Sequence, residues 1–262
     1  MTMTPQELEN YTYHDLLYFR FGATVSTQEA CWYLSSDLIP NYYDINRVMH
    51  LRDDGRGPRA ICDGIIAHFN SAARRVVVDL DSVAEEQGFG QILRARDVMP
   101  VTGNYVAMRW VHGCNGHIAP GKWLVREIDA GFRERDAWAD LAGCDEPNIY
   151  EREFWRAVGQ LECSYAPIKK MGAFADDGEM VGACSLYIDR GMARIDSVIV
   201  MPSYRRQHVA TSMVSHSVGV AFEHGATCTY LATEKGSVAE RIYKNLGFAE
   251  WATNPMRRHM SR

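Results

Sequence analysis

The sequence predicts an α/β fold of the α+β kind: a mixed, mostly antiparallel sheet flanked by helices, present in two similar domains that cover residues 1–115 and 116–262. Three observations predict it. Strand-like and helix-like segments alternate through the second half. Consecutive hairpin turns occupy the middle of that half. The first half contains a strand–helix–strand order that recurs at the end of the chain, which indicates an internal duplication.

The composition is that of a globular protein and argues against several classes of function. Apolar residues make up 47% of the 262 residues and charged residues 23%, enough for two ordinary domains with buried cores. The net charge of −5, without a dominant basic stripe, argues against a dedicated nucleic-acid binder. No apolar run approaches the roughly 20 residues that cross a bilayer, so no membrane partner is expected. Seven cysteines without a CxxC pair predict reduced thiols in a cytoplasmic protein.

The second half has the clearest periodicity. Its strand-like runs are 122–128, 170–175, 181–188, 193–200, 227–233 and 248–253. Its helix-like runs are 133–142, 149–164, 205–224 and 237–246. The turns Asp176–Gly178 and Asp189–Gly191 have the composition of tight hairpins, so three of the strands should form an antiparallel meander. Gly225 and Gly247 stand where the last two helices should end.

The first half is less regular, but part of it resembles the end of the chain. A buried strand at 75–80, a helix at 82–96 and a strand at 105–110 repeat the order found at 227–253. The glycine-rich stretch 111–121 breaks the periodicity and is predicted to be a linker.

The segment most informative about function runs from a strand through a short turn directly into a helix. The first turn of any helix has unpaired backbone N–H groups and the positive end of the helix dipole, which together attract anions. Arg205 and Arg206 lie beside this helix start and add donors that suit a diphosphate. The sequence therefore predicts a phosphate-binding turn at this point.

Two motifs in this half resemble those of the GCN5-related N-acetyltransferases, the GNAT superfamily. Residues 202–211 are similar to the acetyl-CoA signature of the family, an Arg or Gln followed by x-x-Gly-x-Gly/Ala, with Arg205 first and Ala210 last. The later family signature appears as an alanine, a tyrosine four residues on and a Gly-Phe pair, here Ala239, Tyr243 and 247–248. The resemblance covers about residues 120–262 and matches the strand order above.

The resemblance implies acetyl-CoA as the donor substrate. In such enzymes the fourth strand bulges, and its backbone N–H groups bind pantetheine and polarise the thioester carbonyl. The residues that the resemblance assigns to coenzyme A are Val198, Ile199, Val200, Arg205, Arg206, Gln207, His208, Val209, Ala210, Thr211 and Gly236.

The resemblance also implies two catalytic residues, each with a structural alternative. Tyr243 lies where the family has the acid that protonates the coenzyme A sulfur; the alternative is a core tyrosine. Asp196 lies where members often have a glutamate that deprotonates the amine through water; the alternative is a surface aspartate. Alternation along the strand predicts that Asp196, Val198 and Val200 share one face.

Two residues depart from the family pattern. His208 replaces the middle glycine of the turn, and Gly236 replaces an asparagine that often helps to hold the cofactor. Either these changes leave acyl-CoA binding intact, or they mark an altered donor or a weakened site. The first half, residues 1–115, is interpreted either as a degenerate GNAT-like domain that has lost the phosphate-binding turn or as an accessory domain.

The function predicted on these grounds is transfer of an acetyl group from acetyl-CoA to the amine of a small molecule, by direct attack in a ternary complex. Alternatives are a GNAT-fold transferase with another donor (a longer acyl-CoA, an acyl carrier protein or an aminoacyl-tRNA) and a non-catalytic sensor that binds a CoA-like ligand. No metal is expected, because His112, Cys114 and His117 lack a fourth ligand at zinc-like spacing. A monomer or a homodimer is expected.

Overall fold

The computed structural model describes residues 3–40, 42–101, 103–111, 123–128, 137–142 and 152–262. They divide into two compact units. The first unit contains residues up to Asn104 together with Thr253–Arg262, and the second contains the described residues of Tyr105–Ala252. A single boundary between 115 and 116 does not reproduce this division, because each unit includes a strand from the opposite half of the chain.

The first unit begins with helix α1, Pro5–Tyr18, whose start is fixed by a capping box between Thr4 and Glu7. The further elements are a 3₁₀ turn Phe19–Phe21, strands β1 Thr24–Thr27, β2 Trp32–Ser35 and β3 Arg47–Met49, helix α2 Pro58–Ser71, strand β4 Val77–Leu80, helices α3 Ser82–Glu86 and α4 Phe89–Arg94, strand β5 Val98–Pro100 and strand β13 Arg257–Ser261. The single helix predicted at 82–96 is two helices, because Gly88 adopts a left-handed φ of 84° between them.

The second unit has the predicted order of elements, with one additional strand. Its elements are β6 Tyr105–Trp110, β7 Leu124–Glu127, helical residues 137–142, α5 Arg152–Ser164, β8 Ile168–Phe174, β9 Met180–Asp189, β10 Met192–Val200, a 3₁₀ turn Pro202–Tyr204, α6 Val209–Glu223, β11 Cys228–Glu234, α7 Val238–Asn245 and β12 Phe248–Thr253. The predicted linker, apart from Val111, and parts of the two predicted helices at 133–142 and 149–164 lie outside the described residues.

Both predicted hairpin turns are present. Gly178, and Arg190 with Gly191, have the positive φ angles that tight hairpins require. The helix predicted to begin at Arg205 begins instead at Val209. The reason is local: Arg205 is extended, and Arg206 and His208 are left-handed, so the intervening residues cannot continue a helix.

The two sheets have the same plan. The described strands of the first unit are ordered β1-β2-β3-β4-β13-β5, and those of the second β12-β6-β11-β10-β9-β8-β7. Each sheet contains a parallel pair of neighbouring strands, β3 with β4 in the first unit and β10 with β11 in the second. In each, a strand from elsewhere in the chain is inserted beside the second member of that pair: β13 beside β4, and β6 beside β11. The sequence assigned the strand at 105–110 to the first unit. That assignment is wrong, because the strand pairs with β11 in the second unit.

The inserted strand of the first unit is held by a buried ion-pair network. Arg258 on β13 contacts Asp79 on β4, with Nε to Oδ1 at 2.8 Å, and Arg47 contacts the other oxygen of Asp79 at 2.7 Å. Burial alone would raise the pKa of Asp79, but the two arginines outweigh burial and lower this pKa to about 2. The C-terminal strand is thus an integral part of the first sheet.

Candidate active site

Strand β10 carries a bulge at the predicted reacting centre. Its pairing with β9 is regular up to Asp196, which lies opposite Ser185, and resumes with Ile199 opposite Ala183. Three steps along β10 thus match two along β9, so one extra residue is inserted. Ser197, inside this interval, has a left-handed φ of 51°. The bulge that the family resemblance implied is confirmed.

The bulge overturns the predicted sharing of a face by Asp196, Val198 and Val200. Asp196 lies opposite Ser185 and Val200 opposite Gly182, and these two β9 residues are an odd number of positions apart. Because side chains alternate along a strand, Asp196 and Val200 lie on opposite faces of the sheet. Val198 and Val200 instead pack against the hydrophobic core. The extra residue in the bulge shifts the alternation by one position, which the sequence pattern did not reveal.

Strands β10 and β11 separate just before the bulge. They pair in parallel only between Met192–Arg194 and Cys228–Tyr230, although β10 continues to Val200 and β11 to Glu234. The later part of β10 therefore leaves its edge towards β11 without a ladder partner among the described strands. We call the gap between residues 196–200 of β10 and residues 231–234 of β11 the fork. The unpaired backbone N–H groups at its edge can donate hydrogen bonds to a ligand that enters it.

Two backbone N–H groups point towards this open edge. Met201 donates its N–H to Val181 on β9, at 2.9 Å. Successive N–H groups of a strand point to opposite edges, so those of Val200 and Val198 point away from β9 and into the fork. The carbonyl of Val200 accepts a hydrogen bond from Arg205 Nε at 3.2 Å, consistent with this direction. By the same alternation the Ile199 N–H points towards β9.

The turn after β10 leads into helix α6 and leaves the start of that helix uncapped. His208 is the N-cap residue, with a left-handed φ of 65°, and makes no side-chain capping hydrogen bond within the described part of the chain. Trp123 donates from Nε1 to the Gln207 carbonyl at 2.7 Å and holds the turn from one side. The predicted residues Arg205, Arg206, Gln207 and His208 are exposed, Val209 is buried, and Ala210 and Thr211 are half-buried. The first helical N–H groups are thus available to an anion beside exposed arginines.

Gly236 lies in a different turn, between β11 and α7. Its φ is 83°, and its N–H donates to the carboxylate of Glu240 at 2.5 Å, while Ser237 caps the same helix. This N–H therefore stabilises the start of α7. Its assignment to cofactor binding remains a prediction.

Tyr243 projects from α7 into the core of the second unit. Its side chain is almost fully buried, and its ring packs on Phe248 with the centroids 6.1 Å apart. Burial is the main cause that raises the pKa of Tyr243, and interaction with Cys184 and Asp196 raises it further. The phenol is therefore protonated at neutral pH, which suits a proton donor.

Asp196 is engaged on both carboxylate oxygens. Oδ2 accepts from Arg194 Nε at 2.6 Å, and Oδ1 accepts from the N–H and the hydroxyl of Ser197 at 2.6 and 3.2 Å. Its face of the sheet also carries Ser185, which contacts the buried Lys170–Glu162 ion pair. Asp196 thus lies in a polar part of the sheet, and its carboxylate is fixed by its own strand.

Comparison with known proteins identifies the family. Residues 135–248 match the acetyltransferase (GNAT) family model. These residues form a GNAT acetyltransferase domain. No curated protein sequence matches the chain.

Solved structures extend the similarity to both units. A GCN5-related N-acetyltransferase from Kribbella flavida is 18% identical, with 96% of this chain and 94% of that chain covered and a TM-score of 0.66. A conserved protein of unknown function from Staphylococcus epidermidis is 10% identical over 91% and 94% of the two chains, with a TM-score of 0.67. A tandem GNAT protein from the clavulanic acid biosynthesis pathway is 13% identical over 82% and 74%, with a TM-score of 0.58. The chain as a whole has the fold of a tandem of two GNAT-like domains.

The first GNAT-like unit contains a turn that the sequence interpretation missed. Arg52, Gly55 and Gly57 stand at the Arg-x-x-Gly-x-Gly spacing of the GNAT signature, between β3 and α2. The first half therefore retains the spacing of the signature, and the expectation that it has lost the turn is wrong in this respect. A search of the sequence for this spacing could have found the turn. The turn is, however, occupied by its own side chain, because Asp53 Oδ1 accepts from the N–H groups of Gly55 and Gly57 at 3.0 and 2.9 Å.

Metal ligands and membrane helices are not found in the described ranges. No group of three or more His, Cys, Asp or Glu residues there could hold a metal ion. His112, Cys114 and His117 lie outside these ranges. No described helix is long and apolar enough to cross a bilayer.

Proposed function

We propose that the chain transfers an acetyl group from acetyl-CoA to the amine of a small molecule, by direct attack of the amine on the thioester. The observation that carries the proposal is the continuity of three features: a fork with open backbone donors, an uncapped helix start, and two exposed arginines beside it. The GNAT fold is one that supports acyl transfer from a coenzyme A donor.

The uncapped start of α6 suits the diphosphate of coenzyme A. The N–H groups of residues 209–211 offer donors with the helix dipole behind them, and Arg205 and Arg206 add positive charge. The segment of residues 205–208 contains no acidic side chain that would repel a phosphate.

The fork suits the pantetheine arm and the thioester. The N–H groups of Val198 and Val200 point into it and would donate to pantetheine and to the thioester carbonyl, whose oxygen becomes negative during attack. Donors that are already fixed in the free protein need no reorganisation during the reaction, which makes them effective.

Tyr243 is the proposed acid. When the thioester breaks, the coenzyme A sulfur leaves with a negative charge and takes up a proton. A buried phenol whose pKa is raised holds its proton until a thiolate forms nearby. Among the described residues the Tyr243 hydroxyl makes no hydrogen bond, so its proton is available for transfer.

Asp196 was proposed from the sequence as the base that receives the amine proton. Its carboxylate is ion-paired with Arg194 and accepts two bonds from Ser197. As a base it would have to use lone pairs that these contacts leave unoccupied. These contacts favour a different task for this side chain, that of fixing the strand around it.

Binding and turnover together test the proposal. Isothermal titration with acetyl-CoA should give one site per chain, and acetyl-CoA should raise the melting temperature, because a ligand that binds only the folded state stabilises it. Release of free thiol from acetyl-CoA should accelerate when primary amines from a chemically diverse panel are added. Binding without amine-dependent thiol release from any amine would favour the sensor alternative. Absence of binding would refute both.

A further inference from the structure

Arg194 and Asp196 form an ion pair at the point where the two parallel strands β10 and β11 separate. Arg194 is the last residue of β10 that pairs with β11, opposite Tyr230, and Asp196 is the last residue before the bulge. The guanidinium contacts the carboxylate at 2.6 Å, and the two side chains are only 11% and 28% exposed. A partly buried, charge-assisted contact is stronger than an exposed one. The pair therefore fixes Asp196 at the fork.

The other oxygen of Asp196 supports the strained residue of the bulge. Ser197 has a φ of 51°, a left-handed conformation that is unfavourable for a residue other than glycine. Asp196 Oδ1 accepts from both the N–H and the hydroxyl of Ser197. These bonds offset part of the cost and stabilise the bulged conformation over a regular strand.

The bulge determines which backbone N–H groups of β10 point into the fork. If the extra residue were absorbed into a regular ladder, the side chains and N–H groups after Asp196 would exchange sides. The N–H groups of Val198 and Val200 would no longer both point towards the open edge. The conformation of Ser197 thus controls the direction of the proposed donors.

We propose that Asp196 is a positioning residue for the proposed acyl transfer: together with Arg194 it holds the bulge at Ser197, so that the Val198 and Val200 N–H groups face the pantetheine arm and the thioester. The inference rests on the proposed function and changes the role of Asp196 within it. Asp196 acts through the backbone and not by accepting the amine proton. The proton that the attacking amine loses passes to water, and the coenzyme A sulfur takes its proton from Tyr243.

Substitution by asparagine separates the two roles. Asp196→Asn keeps an oxygen that can accept from Ser197 but removes the carboxylate that a base requires. Asp196→Ala removes both. Ser197→Gly relieves the backbone strain, because glycine adopts positive φ readily. In an Asp196→Ala background it should therefore replace part of the lost support.

Titration of each variant with acetyl-CoA and with ADP measures how the substitutions change the affinity for each ligand. Acetyl-CoA reaches both the phosphate-binding turn and the fork, whereas ADP has a diphosphate without the pantetheine arm. We expect Asp196→Ala to weaken acetyl-CoA about tenfold, the effect of losing one to two ordinary hydrogen bonds, and to leave ADP affinity unchanged. Asp196→Asn should bind acetyl-CoA within about twofold of the parent and release thiol faster than Asp196→Ala. The Asp196→Ala/Ser197→Gly variant should recover acetyl-CoA affinity.

Several results would overturn the inference. If Asp196→Asn binds acetyl-CoA normally but releases no thiol, Asp196 is the base. If Asp196→Ala binds acetyl-CoA as tightly as the parent, the side chain does not position the donors. An equal loss of affinity for acetyl-CoA and ADP in Asp196→Ala would mean that the substitution damages the whole domain. That result would also count against the inference. A parent protein that binds neither probe refutes the proposed function itself, which distinguishes that failure from the others.

Discussion

Each unit contains a strand that runs through an arginine-containing turn into a helix, and the two turns use their backbone N–H groups in opposite ways. In the first unit, between β3 and α2, Asp53 accepts from the N–H groups of Gly55 and Gly57. Neither α2 nor α6 has a side-chain cap at its start among the described residues, so the difference lies in the turn itself. In the second unit, residues 205–208 before α6 include no acidic side chain that could accept from the backbone in this way. A carboxylate thus accepts hydrogen bonds from the backbone of the turn in the first unit, which we call closed. The turn in the second unit has no such carboxylate, and we call it open.

The two turns also differ in the acidic residues that lie beside their arginines. Arg52 makes two contacts to the carboxylate of Asp81, at 3.1 and 2.9 Å, and Arg56 is paired with Asp54. Arg205 donates from Nε to the carbonyl of Val200. No acidic side chain lies within residues 205–208. Motif spacing therefore specifies the form of the turn, while the acidic residues in and around it decide whether a phosphate can bind there.

The units also differ at the proposed acid. The residue five positions before the strand that follows the last helix is Tyr243 in the second unit and Leu93 in the first. In both units the residue just before that strand is left-handed, Gly247 with a φ of 92° and Asp97 with a φ of 59°. The backbone is thus similar, but the first unit has no proton donor at this point.

The largest expected effect concerns the acid. Tyr243→Phe should lower turnover by roughly 10- to 1,000-fold, because a positioned proton donor is lost, with acetyl-CoA affinity retained. Steady-state kinetics and titration measure the two quantities. Tyr187→Phe is the matched control, since it removes another buried phenol of the same unit whose pKa burial also raises. Unchanged turnover in Tyr243→Phe, with chemistry rate-limiting, would remove this residue from the mechanism.

Paired arginine substitutions test the difference between the two turns directly. Arg205→Ala with Arg206→Ala should weaken acetyl-CoA by roughly 10- to 100-fold, because charge-assisted hydrogen bonds to phosphate are lost. Arg52→Ala with Arg56→Ala should leave this affinity unchanged, because those guanidiniums are already bound to aspartates. Titration of both double variants measures the contrast. A comparable loss from the Arg52 and Arg56 pair would mean that the first turn binds the donor.

His208 offers a smaller effect. It occupies a left-handed position that glycine would fill without strain. We expect His208→Gly to raise the free energy of unfolding by about 1 kcal/mol, because the strain at this position is relieved, and to change acetyl-CoA affinity by less than about tenfold. Denaturant unfolding and titration measure the two quantities. Binding of acetyl-CoA more than about tenfold tighter by the glycine variant would favour a donor other than ordinary acetyl-CoA.

The smallest effect is expected in the closed turn. Asp53→Ala should lower the free energy of unfolding by about 1 kcal/mol, since two N–H groups lose their acceptor near the start of α2. Acetyl-CoA affinity should not change. Denaturant unfolding measures the first quantity, and Asp53→Asn, which keeps an acceptor oxygen, is the control. Equal stability of the parent and Asp53→Ala would show that this carboxylate does not support the turn.

Much of the second unit could be predicted because its signals are local. Hairpin turns, helix stops at Gly225 and Gly247, and the positions of strands follow from backbone preferences that a few neighbouring residues determine. The sequence predicts a start of α6 at Arg205, four residues before the observed start at Val209. The reason is that nothing in the side chains of Arg206 and His208 signals their left-handed conformations.

The sequence by itself determined which segments form strands and helices in the second unit. It also located the turn that we propose binds phosphate, and the tyrosine that we propose is the acid. Only the tertiary structure decided which sheet β6 and β13 join, because both strands offer the same backbone donors and acceptors and their partners are far away in sequence. It also decided the faces of Asp196 and Val200, since one extra residue in a ladder reverses the alternation. Above all it decided that the first turn is closed and the second open, because hydrogen bonding of Asp53 to its own backbone depends on a folded geometry that spacing alone does not express.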